Sequence, residues 1–434
     1  MLAWSPSAEC DPITFSQKAA WSAATMQPFV LFGGTEMRQI TESESTPKAD
    51  GFYMPAEFAP QDRVFMGWPN RPDTFAFGAV PAQRTYAGIA NAISEFTPVV
   101  MCCNEADYDN CKAVFKDNER VTVMEMSIND AWFRDTGATF LVDGKGGKAA
   151  TDWHFNAYGG LVDGLYFPWD KDAKIARKMA DYVGVRTYRP DHVILEGGSI
   201  TVDGEGTLIV TDSCLLSGGR TASVLVADEP DAGDWPLYPR KYEPFSEELR
   251  AYMTKELEEY LGVEKVIWVK EGIDPAVTNG HIDDCATFIA PGVVACIWTD
   301  DPEYPFYRQC HEIYDTLANA TDTKGRKLKV YKLPMPEKPC FMSEEEANSI
   351  DLVNPRTAQD EPQIASYMNY LVTNHGCIVP QYGDVNDALA VETLQKIYDE
   401  TWGEGVFKCV GVDSRQVVYG GGNIHCITQQ EPSA

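Results

Sequence analysis

Nowhere in the 434 residues is there a run of about eighteen apolar side chains, so no stretch is built to cross a membrane as a helix. Positive charge is scarce: 36 Lys and Arg stand against 65 Asp and Glu, a formal net charge of −29. That balance excludes nucleic acid as a natural partner and favours small cations drawn to a negative cleft. The twelve cysteines include the vicinal Cys102-Cys103 but no Cys-x-x-Cys pair and no regular spacing. A disulfide framework and a zinc-ribbon site are therefore not expected, and the thiols read as reduced. No two metal-ligating side chains of the motifs described below fall at helical i, i+4 spacing, which makes a metal the weaker choice. Residues 1–50 carry only Lys18, Arg38 and Lys48 as cations and lack an apolar core, unlike a transit or signal peptide. They read as a loosely ordered extension of a cytoplasmic protein, with organelle targeting left open.

What is present is a large globular composition, 44% hydrophobic. Order is expected from about Tyr53, with a strand at 64–68, an amphipathic helix at 81–96, a strand at 98–103, a helix at 107–116 and a strand at 121–126. The class is α/β. Four places share one local grammar, a polar or glycine-rich point leading into an apolar strand. They are Trp132-Phe133-Arg134-Asp135-Thr136-Gly137, Leu195-Glu196-Gly197-Gly198, Asn279-Gly280-His281-Ile282-Asp283-Asp284 and Gly420 to Cys426. In the middle two, Asp-Gly or Pro-Gly turns lead to a second strand, which reads as a β-hairpin. The long gap between His281 and Cys426 accommodates a fifth unit, turning at Asn374-His375-Gly376. Five hairpin-plus-helix units would close into a ring, removing sheet edges and aiming one polar end of each unit at a common axis. Amphipathic helices at 172–183, 246–261, 307–320 and 388–399 would lie outside. Residues 51–434 are taken as one domain, with a long surface insertion near 217–245 that has glycines, prolines and acids without period.

The last of these motifs holds the most reactive group. Gly420-Gly421-Gly422 lets the backbone approach a ligand closely and delivers Cys426 before a polar Thr428-Gln429-Gln430 tail. If Asp135, Glu196, His281, Asp283 and Cys426 meet on the axis, three carboxylates crowd one thiol and one imidazole. Such a cluster is costly unless a cation normally sits among the acids. A planar guanidinium suits it, because its N–H donors match carboxylates two at a time. A thiolate could then attack the guanidinium carbon, and His281 could protonate departing ammonia and deprotonate water. Each residue also has an ordinary structural reading: Cys426 as a buried thiol, His281 as a strand cap, Asp135 as the ion-pair partner of Arg134. His425, the neighbour of Cys426 on a strand, should face the other way and is not taken as the general acid.

With these motifs in order, and with Met54-Pro55-Ala56-Glu57 ahead of them, the chain resembles the agmatine deiminases of the guanidine-modifying pentein superfamily from about Tyr53 to Pro432. The resemblance implies a five-bladed α/β propeller of ββαβ-type units around a central site. It implies hydrolysis of agmatine to N-carbamoylputrescine and ammonia in polyamine biosynthesis, without metal or cofactor, by a homodimer. By that likeness Cys426 is the nucleophile that forms a covalent amidino-thioether, and His281 is the general acid and base. Glu196, Asp283 and Asp135 form the carboxylate set, and Trp132 is the aromatic wall beside the substrate. Family members carry an acid four residues ahead of the histidine, facing the far ammonium of the substrate; here that residue is Val277. Asp274, or an acid of the insertion, is the candidate replacement. Phe58, Ala138 and Tyr158 stand where tryptophan, proline and tryptophan are usual. Two other readings stay open: a deiminase of arginine, peptidyl-arginine or another alkylguanidine, and a non-catalytic polyamine-binding protein.

Overall fold

Five helices set the plan, each carrying the chain between two parallel strands: α1 (Val80–Ser94), α2 (Ile175–Val183), α3 (Glu247–Leu261), α4 (Tyr307–Asn319) and α5 (Asp387–Trp402). Parallel neighbours cannot be joined by a tight turn, so a crossover of this length is required. The structure is a computed structural model that describes residues 38–223, 242–351 and 362–434. Their sequences explain why these helices form. On α1, Tyr86, Ile89, Ala90 and Ile93 are buried along one face, and Pro81 occupies the first turn, where its missing N–H costs nothing. On α3, the Ser246 hydroxyl accepts from the Leu249 amide at 3.1 Å, and Gly262, at φ 66°, stops the helix in the left-handed conformation. Leu249, Met253, Leu257 and Leu261 are buried between those caps.

The strands form five separate sheets. One contains Gln39–Thr41, Thr187–Arg189, Lys148–Thr151 and Thr139–Val142; the next, Lys265–Val269, Thr207–Thr211 and Thr201–Val202. Two more follow, Ala286–Ala290 with Val293–Trp298 and Lys329–Pro334, then Leu371–Thr373 with Gly376–Gln381 and Lys408–Asp413. In all four an antiparallel hairpin is extended by a parallel strand after a helix, which is the ββαβ unit. The fifth sheet joins the two ends of the fold: Thr428–Pro432 pairs antiparallel with Gln61–Gly67, which is followed by Val99–Cys103 and Val121–Glu125 in parallel.

Neighbouring sheets touch in sequence order. Thr428–Pro432 contacts Thr139–Val142, Phe133–Thr136 contacts Gly197–Ser199, and Thr201–Val202 contacts Ala286–Ala290. Ser366 donates to the Asp284 carbonyl at 2.7 Å, and Gln61 to the Val372 carbonyl at 3.0 Å. Hydrophobic cores lie between the sheets and their helices, as where Ile289, Val294, Ile313 and Leu317 pack together. Each such side chain contributes about 1.5–3 kcal/mol by leaving water.

Three boundaries differ from the sequence reading. Ordered structure begins well before residue 50: Gln39–Thr41 adds a strand to Thr187–Arg189, and the Lys48 amide donates to the Glu259 carbonyl at 3.1 Å. Short polar segments like this have no periodicity of their own, and only the waiting sheet edge orders them. Residues 1–37, the rest of the expected extension, lie outside the described residues. The segment near 217–245 is not all surface either. Residues 217–223 are mostly buried, with Arg220 wholly so, whereas 224–241 lie outside the described residues. Within the irregular stretch 334–362, Glu344–Asn348 forms a short helix with a Ser343–Glu346 capping box. No described helix is long and apolar enough to cross a membrane.

Candidate functional site

Each of the four hairpins, and the strand Thr428–Pro432, is preceded by a short polar turn, and those turns converge. Phe133–Thr136 carries Asp135 ahead of Thr139; Gly197–Ser199 follows Glu196 ahead of Thr201; Ile282–Asp284 follows His281 ahead of Ala286; Cys426 lies just ahead of Thr428. A strand end fixes the position of its preceding turn to within a fraction of an ångström, a suitable base for side chains that must meet.

His281 is fully buried, with Nδ1 3.8 Å from Asp135 Oδ1 and Nε2 3.6 Å from Glu196 Oε2. Neither ring nitrogen makes a hydrogen bond among the described residues. Asp135 is held by the Gly198 amide at 2.9 Å and by the Tyr158 hydroxyl at 2.7 Å. Cys426 Sγ stands 3.6 Å from Asp283 Oδ2, and the Asn369 amide group donates to it at 3.2 Å. Asp283 Oδ1 is buried and accepts no hydrogen bond among the described residues. All five residues singled out around the axis are thus brought together.

The glycines around them are obligatory. A Cβ on Gly198 would lie 2.5 Å from His281 Nδ1 and 2.9 Å from Asp283 Oδ2, and one on Gly422 would lie 2.7 Å from the Trp132 ring and 3.1 Å from Cys426 Sγ. Trp132 is 2% exposed and stacks on Phe75 with ring centroids 6.0 Å apart, so it walls the cluster beside Cys426. Gly421, at φ 98°, faces Val277, whose Cγ1 lies 3.3 Å from where a Cβ would be. Val277 therefore borders the glycine turn.

Asp274 has a different role from the one expected. Its Oδ1 accepts the Val277 amide at 3.2 Å, and its Oδ2 accepts the Thr278 amide and hydroxyl, both at 3.0 Å. Both oxygens are spent on its own turn, so Asp274 shapes the loop before His281 rather than reaching a ligand. The insertion acids at 224–241 lie outside the described residues.

Several functional side chains were invisible in the sequence. Arg220 meets both oxygens of Glu196, at 2.7 and 2.9 Å, and donates to the Asn279 side chain at 3.0 Å and to the Thr278 and Tyr158 carbonyls. Asn369 comes from the fifth unit, two residues ahead of Leu371, and its amide group also donates to Asp284 at 3.0 Å. That shared position ahead of a hairpin was the signal that could have found it. The expectation that His425 sits on a strand facing away from Cys426 is not met: both residues lie in the turn 424–427 ahead of Thr428, and both side chains approach Asp283 Oδ2. His425 bonds Asp283 Oδ2 through Nδ1 at 2.8 Å and Glu57 Oε1 through Nε2 at 2.7 Å. It is a buried strut between two acids.

Electrostatics sort these groups. Burial pushes the Cys426 thiol well above its ordinary value, and Asp283, Asp284 and Asp135 add to the push. Burial alone would lower His281, but Asp135, Cys214 and Glu196 together hold it well above the usual imidazole range. Burial would raise Glu196; Arg220 and His281 overcome it and bring the carboxyl to about 2. Asp283 is likewise lowered against its burial, by His425. Asp135 is raised, first by burial and then by its acidic neighbours. These directions favour a protonated imidazole and a neutral thiol beside at least two carboxylates, a balance that suits a cation. A cavity of about 350 Å³ lies elsewhere, between Trp298–Asp301, Lys332–Glu337 and the start of α5, and none of these groups lines it.

Comparison with known proteins follows the same outline. A family profile described as Porphyromonas-type peptidyl-arginine deiminase matches residues 53–226 and 246–432. An agmatine deiminase of Pseudomonas aeruginosa is 41% identical over 397 residues, which cover 91% of this chain and 99% of that one. The solved structure of an agmatine deiminase of Enterococcus faecalis catalysing its reaction is 46% identical, with a TM-score of 0.81, covering 91% of this chain and 99% of that one. The C. jejuni agmatine deiminase, at 23% identity and a TM-score of 0.65 over 88% of this chain and 96% of that one, shares the fold.

Proposed function

The chain belongs to the Porphyromonas-type peptidyl-arginine deiminase family and, within it, to the agmatine deiminases, and from that premise we propose how its own residues convert agmatine and water to N-carbamoylputrescine and ammonia. The five ββαβ sheets act as the blades of a propeller that closes where Thr428–Pro432 pairs with Gln61–Gly67, and residues 51–434 form its one catalytic domain. The observation that carries the reading is a buried thiol and a buried imidazole, whose ring nitrogens make no hydrogen bond among the described residues, set among carboxylates contributed by separate sheets.

Guanidinium carbon is a weak electrophile, and the resting thiol is a weak nucleophile. Substrate binding changes both. The guanidinium spends its N–H donors on Asp135, on Asp283 Oδ1 and on Glu196, each charge-assisted bond contributing about 1.5–3 kcal/mol. The same positive charge beside Cys426 stabilises its thiolate, whose proton passes to solvent as the substrate binds, offsetting the acids that had raised the thiol. Sulfur attacks the central carbon, the C–N bond breaks as His281 gives its proton to the departing ammonia, and an amidino-thioether remains. Water then adds to that carbon, His281 takes its proton, and the C–S bond breaks to release the carbamoyl product and restore the thiol. Trp132 closes one face of the pocket, and the Asp283–His425–Glu57 strut fixes the acid beside the sulfur.

We place the enzyme in the cytoplasm, as a homodimer, within polyamine biosynthesis. Incubating the purified chain with agmatine should release ammonia and N-carbamoylputrescine in equal amounts, and Cys426→Ser should reduce turnover by about 10³-fold or more. Absence of turnover by the parent protein would end the proposal. A deiminase of arginine or peptidyl-arginine is favoured only by Val277, and a substrate panel run alongside decides between them.

A further inference from the structure

Cys214 lies in the short helix Asp212–Leu215, at the end of the strand Thr207–Thr211, and is fully buried. No step above uses it. Yet its thiol, the His281 imidazole and a Glu196 carboxylate oxygen all lie within 4.8 Å of one another. Among the described residues this is the one cluster of three or more His, Cys, Asp or Glu side chains with metal-ligand spacing. A second observation points the same way: both nitrogens of the His281 ring are buried without a hydrogen bond among the described residues. A ring nitrogen buried without such a bond can give its lone pair to a metal once the imidazolium releases its proton.

We infer that His281, Cys214 and Glu196 form a binding site for a borderline-soft divalent cation such as zinc, and that occupancy switches the enzyme off. The donor set, one imidazole nitrogen, one thiolate and one carboxylate oxygen, is a known zinc combination with a fourth position left open. Tetrahedral zinc places its ligand atoms about 3.5 Å apart, so these three need to close in by about 1 Å, within side-chain reach. The exchange balances: one zinc enters, the imidazolium and the Cys214 thiol each release one proton, and the charge of the cluster is unchanged. Arg220 does not block it: its Nε donates to Glu196 Oε2 at 2.9 Å and lies 2.7 Å from Oε1, and a carboxylate oxygen that accepts one hydrogen bond keeps a second lone pair for a metal. Metal on His281 removes the proton donor for ammonia, so binding and inhibition are one event. The inhibitory part rests on the catalytic reading of His281; the binding part does not.

The test uses full-length, metal-free protein. Cobalt(II), added as a spectroscopic stand-in, should give near-ultraviolet thiolate-to-cobalt and visible d–d bands that saturate at one equivalent. The bands should persist in Cys426→Ser and vanish in Cys214→Ser. Zinc at micromolar concentration should inhibit agmatine turnover reversibly, with full recovery in EDTA. Cys214→Ser should be at least 10-fold less sensitive to zinc, relative to its own metal-free rate. Should Cys214→Ser fold poorly by circular dichroism, Cys214→Ala takes its place. The inference is overturned if the bands survive loss of Cys214, if loss of Cys426 abolishes them, or if the parent protein binds neither metal at one equivalent. Agmatine turnover without metal is scored separately, so failure of the catalytic reading is distinguishable from failure of the metal site.

Discussion

Arg220 holds a charge that Glu196 requires. Both side chains are wholly buried, and their contacts at 2.7 and 2.9 Å are what keep the carboxyl at about 2 despite desolvation. Removing only the arginine leaves a buried carboxylate unpaired, so Arg220→Met should cost about 3–5 kcal/mol in denaturant unfolding at pH 7. The double variant Arg220→Met/Glu196→Gln should regain more than half of that loss. If the double variant is no more stable than the single one, the pair is not what the arginine serves. Val277 makes a complementary case for specificity. It borders the Gly421 turn, where the nearby Asp274 is committed to the Val277 and Thr278 amides. Val277→Asp should lower KM for agmatine about tenfold, roughly 1.4 kcal/mol, while leaving KM for butylguanidine, which lacks the far amine, unchanged. Equal changes for both substrates would remove Val277 from the amine end.

At the level of elements, the polar turns ahead of each hairpin are the working parts and the strands are their mounts. The turn that carries Cys426 depends on two kinds of glycine: Gly421 needs its positive φ, and Gly422 needs its missing Cβ. Gly422→Ala would drive a methyl group against the Trp132 ring, 2.7 Å away, and against Sγ, 3.1 Å away. A displacement of about 1 Å at a nucleophile costs about 100-fold in rate. Gly422→Ala should therefore lose about 10²-fold in kcat, with the unfolding midpoint less affected. The reverse outcome, a large stability loss with normal kcat, would show that the turn serves packing alone.

On the scale of the whole molecule, two populations of buried acids pull stability in opposite directions as pH changes. Burial raises Asp172 to about 7, and Asp135 and Asp284 are raised as well. Groups raised in the fold bind protons more tightly there than in the unfolded chain. Between about pH 7 and the ordinary carboxylate range, acidification therefore stabilises the fold. Relief of the −29 net charge acts in the same direction. Glu196, lowered to about 2, and Glu57 and Asp283, also lowered, act oppositely. Their stabilisation is complete above about pH 4.5 and is lost as pH falls toward 2. Thermal melts should accordingly show Tm rising from pH 8 to about 5 and dropping below 4.5. Asp172→Asn should flatten the upper limb. A Tm that falls steadily from pH 8 to 5 would contradict this assignment of the buried acids.

The sequence by itself determined the α/β class and the repeated hairpin unit, and it singled out Cys426, His281, Glu196, Asp283 and Asp135 as residues that meet. These are local matters: apolar period, turn chemistry and the rarity of a carboxylate beside two glycines can be read in a window of ten or fifteen residues. Tertiary structure alone decided the rest. Arg220 sits in a stretch with every mark of a surface loop, and only the meeting of the 158, 196 and 278 segments makes it interior. Asn369 and Glu57 have ordinary neighbours in the chain and special ones in space. Asp274 looked like a ligand group until its turn claimed both of its oxygens. The strand Gln39–Thr41 has no pattern of its own and exists because a sheet edge stands next to it. Local pattern reports what a residue can be; which charge it must pair with is set by segments 24 residues away for Arg220 and Glu196 and 368 away for His425 and Glu57, beyond any window of ten or fifteen residues.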